Sequence, residues 1–329
     1  VREASRSLQH AGHLPHRFVS RYSLGAHDSG LPVHRSASIP FARKTKAGPS
    51  VAKPLLDAAL VLTLRRVCRE HDIDAVSAHN YEGLLVALAA RRRPIVYHAH
   101  NAMRDELPSY FNDAAWARSF GATLDRNFPR RAEACVVPHE KLRDYLIENG
   151  CDSSNVHVVS PAIDPILNEV APKSDGTPHV LYSGNLDAYQ NLQLLASVIK
   201  SIDVHTNVVS ADSLNETALA NVPNVDHIPS ADRAALQSAL AEDAIFVCPR
   251  VSWSGYPMKL LNAMCAGQAI VCCESSAHPL THDLDALIVP DNDAPAFAAT
   301  IQRLSTDREL RQRLGNAARA TYEQRHTTE

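Results

Sequence analysis

One run of residues concentrates the chemistry of this chain: Cys248-Pro249-Arg250-Val251-Ser252-Trp253-Ser254-Gly255-Tyr256-Pro257-Met258-Lys259-Leu260-Leu261-Asn262-Ala263-Met264-Cys265-Ala266-Gly267. Ala244 to Cys248 is apolar enough for a buried strand. Arg250 to Gly255 then reads as a loop of small and polar residues. Pro257 suits the first turn of a helix and Gly267 its stop. Leu260, Leu261, Met264 and Cys265 form the apolar face of that helix, while Lys259 and Asn262, three apart, look the same way near its start. A helix start presents unpaired N–H groups and partial positive charge, to which Arg250 and Lys259 add two full charges. The combination fits a diphosphate. An ordinary strand–loop–helix unit with solvated cations has the same signature, so the stretch needs support from elsewhere in the chain.

Two further groups supply it. Ser183-Gly184-Asn185 directly follows an apolar run, and a glycine there lets backbone approach a phosphate closely; a simple turn reads the same way. His98, His100 and Asn101 close another apolar run. His100 is expected to emerge at the strand end, with His98 in the core or an interface. A zinc site from His79, His98 and His100 is disfavoured, because no carboxylate or thiol stands at ligand spacing to complete it. Asp105 and Glu106 read as helix-end carboxylates or as partners of a substrate hydroxyl, the structural role being the better fit. The dinucleotide fingerprint G-x-G-x-x-G is absent, which disfavours a nicotinamide enzyme, and no G-x-S-x-G supports a hydrolase triad.

The elements that must position these groups alternate at βαβ spacing. Strands are expected at Arg17–Tyr22, Leu31–Val33 (an edge strand because of Pro32), Ala75–Ala78, Pro94–Ala99, Ala134–Pro138 and Val156–Val159. Helices are expected at Ala4–Gly12, Pro54–His71, Gly83–Arg93, Ala114–Phe128 and Glu140–Asn149. In Pro54–His71 the stripe Leu55, Ala58, Ala59, Leu62 and Val67 is the expected buried face. Ser160–Pro178, with four prolines, reads as a linker, after which the alternation restarts at His179–Tyr182 and runs to two closing helices. This predicts an α/β chain of two Rossmann-like domains, 1–160 and 161–329, each with a mostly parallel sheet and ligands beyond the C-terminal strand ends.

At 329 residues the chain is long enough for two such domains. Seven scattered cysteines without a C-x-x-C pair indicate a reducing compartment. No apolar run reaches the ~18 residues of a membrane span, no signal peptide is evident, and a cytoplasmic location is expected. Residues 1–160 hold 22 Lys and Arg against 16 Asp and Glu, and 161–329 hold 11 against 20. The basic excess sits at the start, with Arg43, Lys44 and Lys46 clustered, and makes peripheral contact with an anionic inner membrane face an expected side role; a solvated face explains it equally well. Nucleic acid is disfavoured, since aromatics are few and no reader motif occurs.

Taken together, Asp74–His79, Pro94–Asn101, Val180–Leu186 and Ser254–Met264 resemble the corresponding motifs of retaining GT-B glycosyltransferases of the family 4 type (glycosyl transferases group 1). The resemblance spans nearly the whole chain. It implies that the second domain binds a nucleoside-diphosphate sugar as donor and the first binds a glycan or lipid-linked acceptor for cell-surface polysaccharide or glycolipid synthesis. It assigns His100 to the transferred sugar, and Gly184, Arg250 and Lys259 to the diphosphate. Asn185, Ser254, Gly255, Tyr256 and Asn262 complete the expected donor contacts. It implies no metal and no further cofactor. The chain departs from the family where Glu-x7-Glu is usual, since Ser254 and Asn262 occupy those positions, and where Arg and Lys are usual, since Asn185 and Gln190 stand there. The family's first strand with its glycine-rich loop, and its C-terminal crossing helix, are expected to be truncated here. A binding module without turnover, or a sugar-nucleotide epimerase, stands as the alternative. Sugar, base, acceptor and oligomeric state are not written in the motifs.

Overall fold

The structure is a computed structural model that describes residues 5, 8–19, 31–39, 52–111, 113–163, 178–229 and 233–327. The chain divides into two compact units, Val1–Val159 and Ser160–Glu329. The basic cluster Arg43, Lys44 and Lys46, and most of the proline-rich segment, lie outside the described residues.

In the first unit, β3 (Val76–His79), β4 (Ile95–His98), β5 (Ala134–Val137) and β6 (Val156–Val158) form a four-stranded sheet in chain order, every neighbour parallel. Three-residue strands β1 (Arg17–Val19) and β2 (Val33–Arg35) pair separately, also in parallel. β2 starts two residues later than the sequence suggests. Pro32 stays outside the strand, where its carbonyl still accepts from Arg17 N at 2.9 Å, so a residue without an N–H costs the ladder nothing. Helices α1 (Lys53–Glu70), α2 (Asn80–Ala90), α3 (Met103–Glu106), α4 (Ala115–Asn127) and α5 (Glu140–Glu148) fill the crossovers.

The expected inner face of α1 is corrected. Of the expected stripe Val67 is buried, but Leu55 and Leu62 are 56% and 66% exposed, whereas Leu56, Thr63, Leu64 and Cys68 are buried. This helix carries apolar residues almost all round, so periodicity offers two stripes. The stripe that fits the Val86 and Ala90 side of α2 wins: Leu64 and Cys68 pack with them and receive Phe18, Ile73 and Val76.

The second unit is one six-stranded parallel sheet in the order β12–β11–β10–β7–β8–β9. Its strands are β7 (His179–Ser183), β8 (Thr206–Ser210), β9 (Val225–Pro229), β10 (Ala244–Cys248), β11 (Ala269–Cys273) and β12 (Leu287–Val289). Helices α6 (Leu192–Lys200), α7 (Arg233–Ala241), α8 (Met258–Cys265), α9 (Ala294–Thr306) and α10 (Arg308–Arg325) accompany them. Strand residues alternate between two cores. Val180, Tyr182, Ile245, Val247 and Val271 meet Leu195, Ile199, Phe297 and Ile301; Leu181, Phe246, Cys248, Ile270 and Cys272 meet Leu240, Leu260, Leu261 and Met264. With both faces covered, β10 and β11 are buried at every residue, which is why they read as unbroken apolar runs.

Polar side chains close the seams of this unit. Gln268 is 1% exposed; its Nε2 donates to Leu240 O and Glu242 O, and its Oε1 accepts from Ala244 N. Arg311 and Asp243 pair at 2.9 Å with both side chains largely buried. Gly315 lets α10 press on the end of α8, since a Cβ there would sit 2.2 Å from Gly267 O. The end of α10 also holds the start of the unit: Tyr322 OH donates to Ile163 O at 2.9 Å, and Ile163 N donates to His326 O at 3.0 Å. No helix among the described residues is long and apolar enough to cross a membrane.

Candidate functional site

The sheet order of the second unit locates its site. The chain leaves β7 toward β8 and β9 on one side, then returns to β10, β11 and β12 on the other. Loops beyond β7 and β10 therefore diverge, and such a switch point is where parallel sheets bind ligands. The loop after β7 begins at Gly184, whose φ is +131°. A Cβ there would lie 3.5 Å from both Cε and Nζ of Lys259. Glycine thus supplies a backbone conformation that other residues rarely adopt, in contact with the lysine.

Lys259, from the first turn of α8, is held from two sides. Its Nζ donates to Gln190 Oε1 at 2.6 Å and stands 4.1 Å from the ring centroid of Tyr182. Gln190 Nε2 in turn donates to Asn185 Oδ1 at 2.6 Å, and Asn185 Nδ2 donates to Asp187 Oδ2 at 2.8 Å and to Tyr189 OH at 2.7 Å. Asn185 and Gln190 therefore form a neutral relay that fixes the ammonium. Burial, reinforced by the Arg250 charge, pulls the Lys259 pKa down to about 8. An ammonium held this way is short of counter-charge, and an anion would restore it.

Arg250 reaches the same group from the loop after β10. Its guanidinium carbon lies 5.2 Å from the ring centroid of Tyr189, and Nη2 donates to Ser252 Oγ at 2.8 Å. Its Nε is buried with no hydrogen-bond partner among the described residues, a costly state for a donor. Gly255 makes the space: a Cβ there would fall 2.1 Å from Arg250 Nη2. Asn191, in the left-handed region at φ 56°, clasps the loops together by donating to Pro249 O at 3.2 Å and Asn292 Oδ1 at 2.9 Å.

The structure thus gathers Gly184, Asn185, Arg250, Gly255 and Lys259. Asn262 lies half-buried on α8, three residues beyond Lys259. Of the other residues expected among the ligand contacts, Ser254 is buried and Tyr256 half-buried. Ser254 is 0% exposed. Tyr256 packs against the α8 core, with its ring centroid 6.2 Å from that of His326. Sequence reasoning missed Tyr182 and Tyr189, whose ring faces attract the two cations. Gln190 was noticed only as a departure from the family pattern.

In the first unit the three histidines meet at the strand ends. β3 and β4 place His79 beside His98, and the two rings stack at 4.3 Å. His100 lies just beyond β4 and is exposed, with Nε2 3.4 Å from Nδ1 of His79. Burial and the neighbouring rings lower His79 to about 3 and His98 to about 4, so both are neutral at physiological pH. His98 is half-buried against His79 rather than sunk in the core. Glu106 has the structural role: it accepts from Asn101 Nδ2 and, at 3.0 Å, from Tyr110 OH.

The anchor of this segment was not anticipated. Asp125 on α4 is 2% exposed. Its Oδ1 accepts from Met103 N and its Oδ2 from Arg104 N, both at 2.9 Å, and Oδ2 also accepts from Tyr145 OH at 3.0 Å. It thereby caps α3, the helix that follows His100 and Asn101. One turn earlier, Gly121 allows the approach, because a Cβ there would lie 2.3 Å from Met103 O. A glycine and an aspartate four apart on a helix are the signal that was available: a helix face with no side chain at one position and a charge at the next is shaped for backbone.

Comparison with known proteins agrees with this geometry. Residues 1–162 match the glycosyl transferase 4-like domain, and residues 177–307 match glycosyl transferases group 1. No curated protein sequence matches significantly. Among solved structures, sucrose-phosphate synthase from Thermosynechococcus elongatus is similar with a TM-score of 0.80 at 14% identity, over 98% of this chain and 87% of that one. WaaG, a glycosyltransferase involved in lipopolysaccharide biosynthesis, follows at 0.71 and 15%, over 98% and 90%. Anabaena Alr3699/HepE, solved with UDP and glucose, gives 0.69 and 16%, over 94% and 88%. At these identities the likeness is one of fold, and the two domain matches add the family. The chain therefore belongs to the GT-B glycosyltransferases, with a glycosyl transferase 4-like first unit and a group 1 second unit.

Proposed function

We propose that this chain transfers a hexosyl group from a nucleoside-diphosphate sugar to a glycan or lipid-linked acceptor, with retention at the anomeric carbon, in cell-surface polysaccharide or glycolipid synthesis. The observation that carries the donor assignment is Lys259 lying over Gly184 beside Arg250 with its unpartnered Nε. Two converging cations and a glycine at a switch point suit a diphosphate. HepE, solved with UDP and glucose, supports a nucleotide-sugar donor, and the lipopolysaccharide role of WaaG supports a surface-glycan acceptor.

The chemistry follows from charge. As the bond from the anomeric carbon to the diphosphate oxygen breaks, negative charge grows on the leaving group. Lys259 and Arg250 face that charge from fixed positions, the kind of stabilisation that contributes most to such steps. In this reading the two cations do the charge-neutralising work for which other transferases use a divalent metal. The acceptor hydroxyl takes the anomeric carbon from the side the diphosphate leaves and gives its proton to the departing phosphate oxygen. His100, at the family's histidine position, contacts the transferred sugar. The chain works in the cytoplasm, at the inner membrane face when the acceptor is a lipid.

Calorimetry with UDP, GDP and ADP, on wild type and Arg250→Ala, tests the donor site. One nucleotide is expected to bind, with affinity reduced about 10- to 100-fold in the variant; no heat from any of the three ends the proposal. A second reading, a nucleotide-sugar-binding module without turnover, is favoured by Ser254 and Asn262 standing where the family carries Glu and by the complete burial of Ser254. Any transfer product formed by the chain eliminates it.

A further inference from the structure

We infer that His16, His34 and His71 form a binding site for one zinc-class divalent metal ion in the first unit. This inference is independent of the donor site. The three residues come from separate elements: His16 immediately precedes β1, His34 is the middle residue of β2, and His71 caps the C-terminus of α1. One ligand nitrogen from each lies within 4.8 Å of the others. His16 Nδ1 and His34 Nε2 are 3.0 Å apart, and the rings of His16 and His71 are 4.7 Å apart.

These spacings suit coordination. Zinc–imidazole bonds of 2.0–2.1 Å at tetrahedral angles put neighbouring nitrogens about 3.3 Å apart. His16 and His34 are already near that separation, and rotation of the exposed His71 ring brings in the third nitrogen. Three neutral imidazoles suit zinc, nickel and copper far better than magnesium or calcium, which prefer oxygen ligands. His71 is exposed while His16 and His34 are half-buried. The site therefore faces solvent on one side, where water completes a fourth position.

A physical role follows from the weakness of what the metal would join. β1 and β2 are three residues each and, among the described residues, pair only with one another. A two-stranded ribbon of that length is marginal in water. It leans on α1, where Phe18 joins the small core of Leu64, Cys68, Val86 and Ala90. A metal bound to His16, His34 and His71 ties both strands to the end of α1. It closes loops of 18 residues between His16 and His34 and roughly twice that between His34 and His71, and ties that close long loops gain most. The ion is a structural tie and takes no part in the transfer step.

The test uses the full chain without an affinity tag, stripped with a chelator. Zinc is added in competition with a chromophoric chelator, and cobalt is used as a spectroscopic stand-in. One equivalent per chain is expected, with the visible absorption of a tetrahedral cobalt site. His34→Gln is expected to weaken zinc at least about 10-fold, and His71→Gln, an exposed position that leaves the strands intact, to do the same. Circular dichroism confirms that both variants fold. Two controls point elsewhere: a His10→Gln, His13→Gln pair removes two other histidines near the start, and His79→Gln breaks the other histidine group. Both are expected to bind zinc as wild type does. Failure to bind one equivalent, or binding that survives His34→Gln and His71→Gln, or loss of binding in either control, overturns the inference.

Discussion

Lys259→Met separates a ligand-seeking cation from a structural one. In the free protein the ammonium is unfavourably placed, because burial draws its pKa from 10.5 to about 8. That drop corresponds to roughly 3 kcal/mol of charging penalty at neutral pH. Methionine keeps most of the apolar stem and removes the charge. The variant forfeits the contact with the Tyr182 ring, worth about 1 kcal/mol, and leaves Gln190 Oε1 short of a donor at about 1 kcal/mol more. The free variant is therefore expected within about 1 kcal/mol of wild type, or above it, in urea denaturation. Nucleotide binding moves the other way: losing a charge-assisted contact of about 1.5–3 kcal/mol weakens it about 10- to 150-fold in calorimetry. The pH dependence provides a signature with a definite sign. Between about 8 and 10.5 the unfolded chain keeps the lysine proton that the folded chain has released, so this residue makes wild-type stability rise with pH. The advantage of the variant should be greatest below pH 8 and fade as pH approaches 10.5. A variant more than about 2 kcal/mol less stable than wild type, or one that binds nucleotide unchanged, refutes the reasoning.

Three further outcomes follow. Asp125→Ala strips two α3 amides and the Tyr145 hydroxyl of their acceptor; a loss of about 2–4 kcal/mol is expected, and transfer should fall more than nucleotide affinity, since the change lies beside the His100 segment. Asp243→Ala leaves the Arg311 guanidinium buried and unpaired, and should cost about 3–5 kcal/mol in chemical denaturation. His79 and His98 are lowered to about 3 and 4 from 6.5, so the folded chain resists protons that the unfolded chain accepts. Their contribution is complete above pH 6.5 and is lost as pH falls through about 4 for His98 and about 3 for His79, and the melting temperature of His79→Gln should fall less steeply across that window than that of wild type.

The chain order of strands and helices was legible because β10, β11 and β7 are buried on both faces and write themselves as apolar runs, while Gly150, Gly267 and the prolines mark where elements stop. The core residues of α8 followed from 3.6-residue spacing alone. The placing of Arg250 and Lys259 near one another was legible too, since they flank a helix start after a buried strand, a local arrangement that needs no tertiary knowledge. Legibility failed wherever a side chain answers to a distant partner. The inner stripe of α1 was chosen by the Val86 and Ala90 side of α2, because the helix offers apolar residues on more than one side. Asp125 looks like any helical carboxylate until α3 arrives with two unpaired amides.

What the sequence by itself determined is therefore the set of short-range choices: which segments are strands, where helices begin, and which residues bring charge to a strand end. Local conformational preference and the period of apolar residues act over a few positions, and these are properties a single chain segment carries. Only the tertiary structure decided what that charge experiences. The lowered pKa of Lys259, the relay through Gln190 and Asn185, the cap that Asp125 puts on α3, and the meeting of His16, His34 and His71 all come from residues brought together by packing. Burial removes water from these groups and leaves each to the few neighbours that the fold supplies.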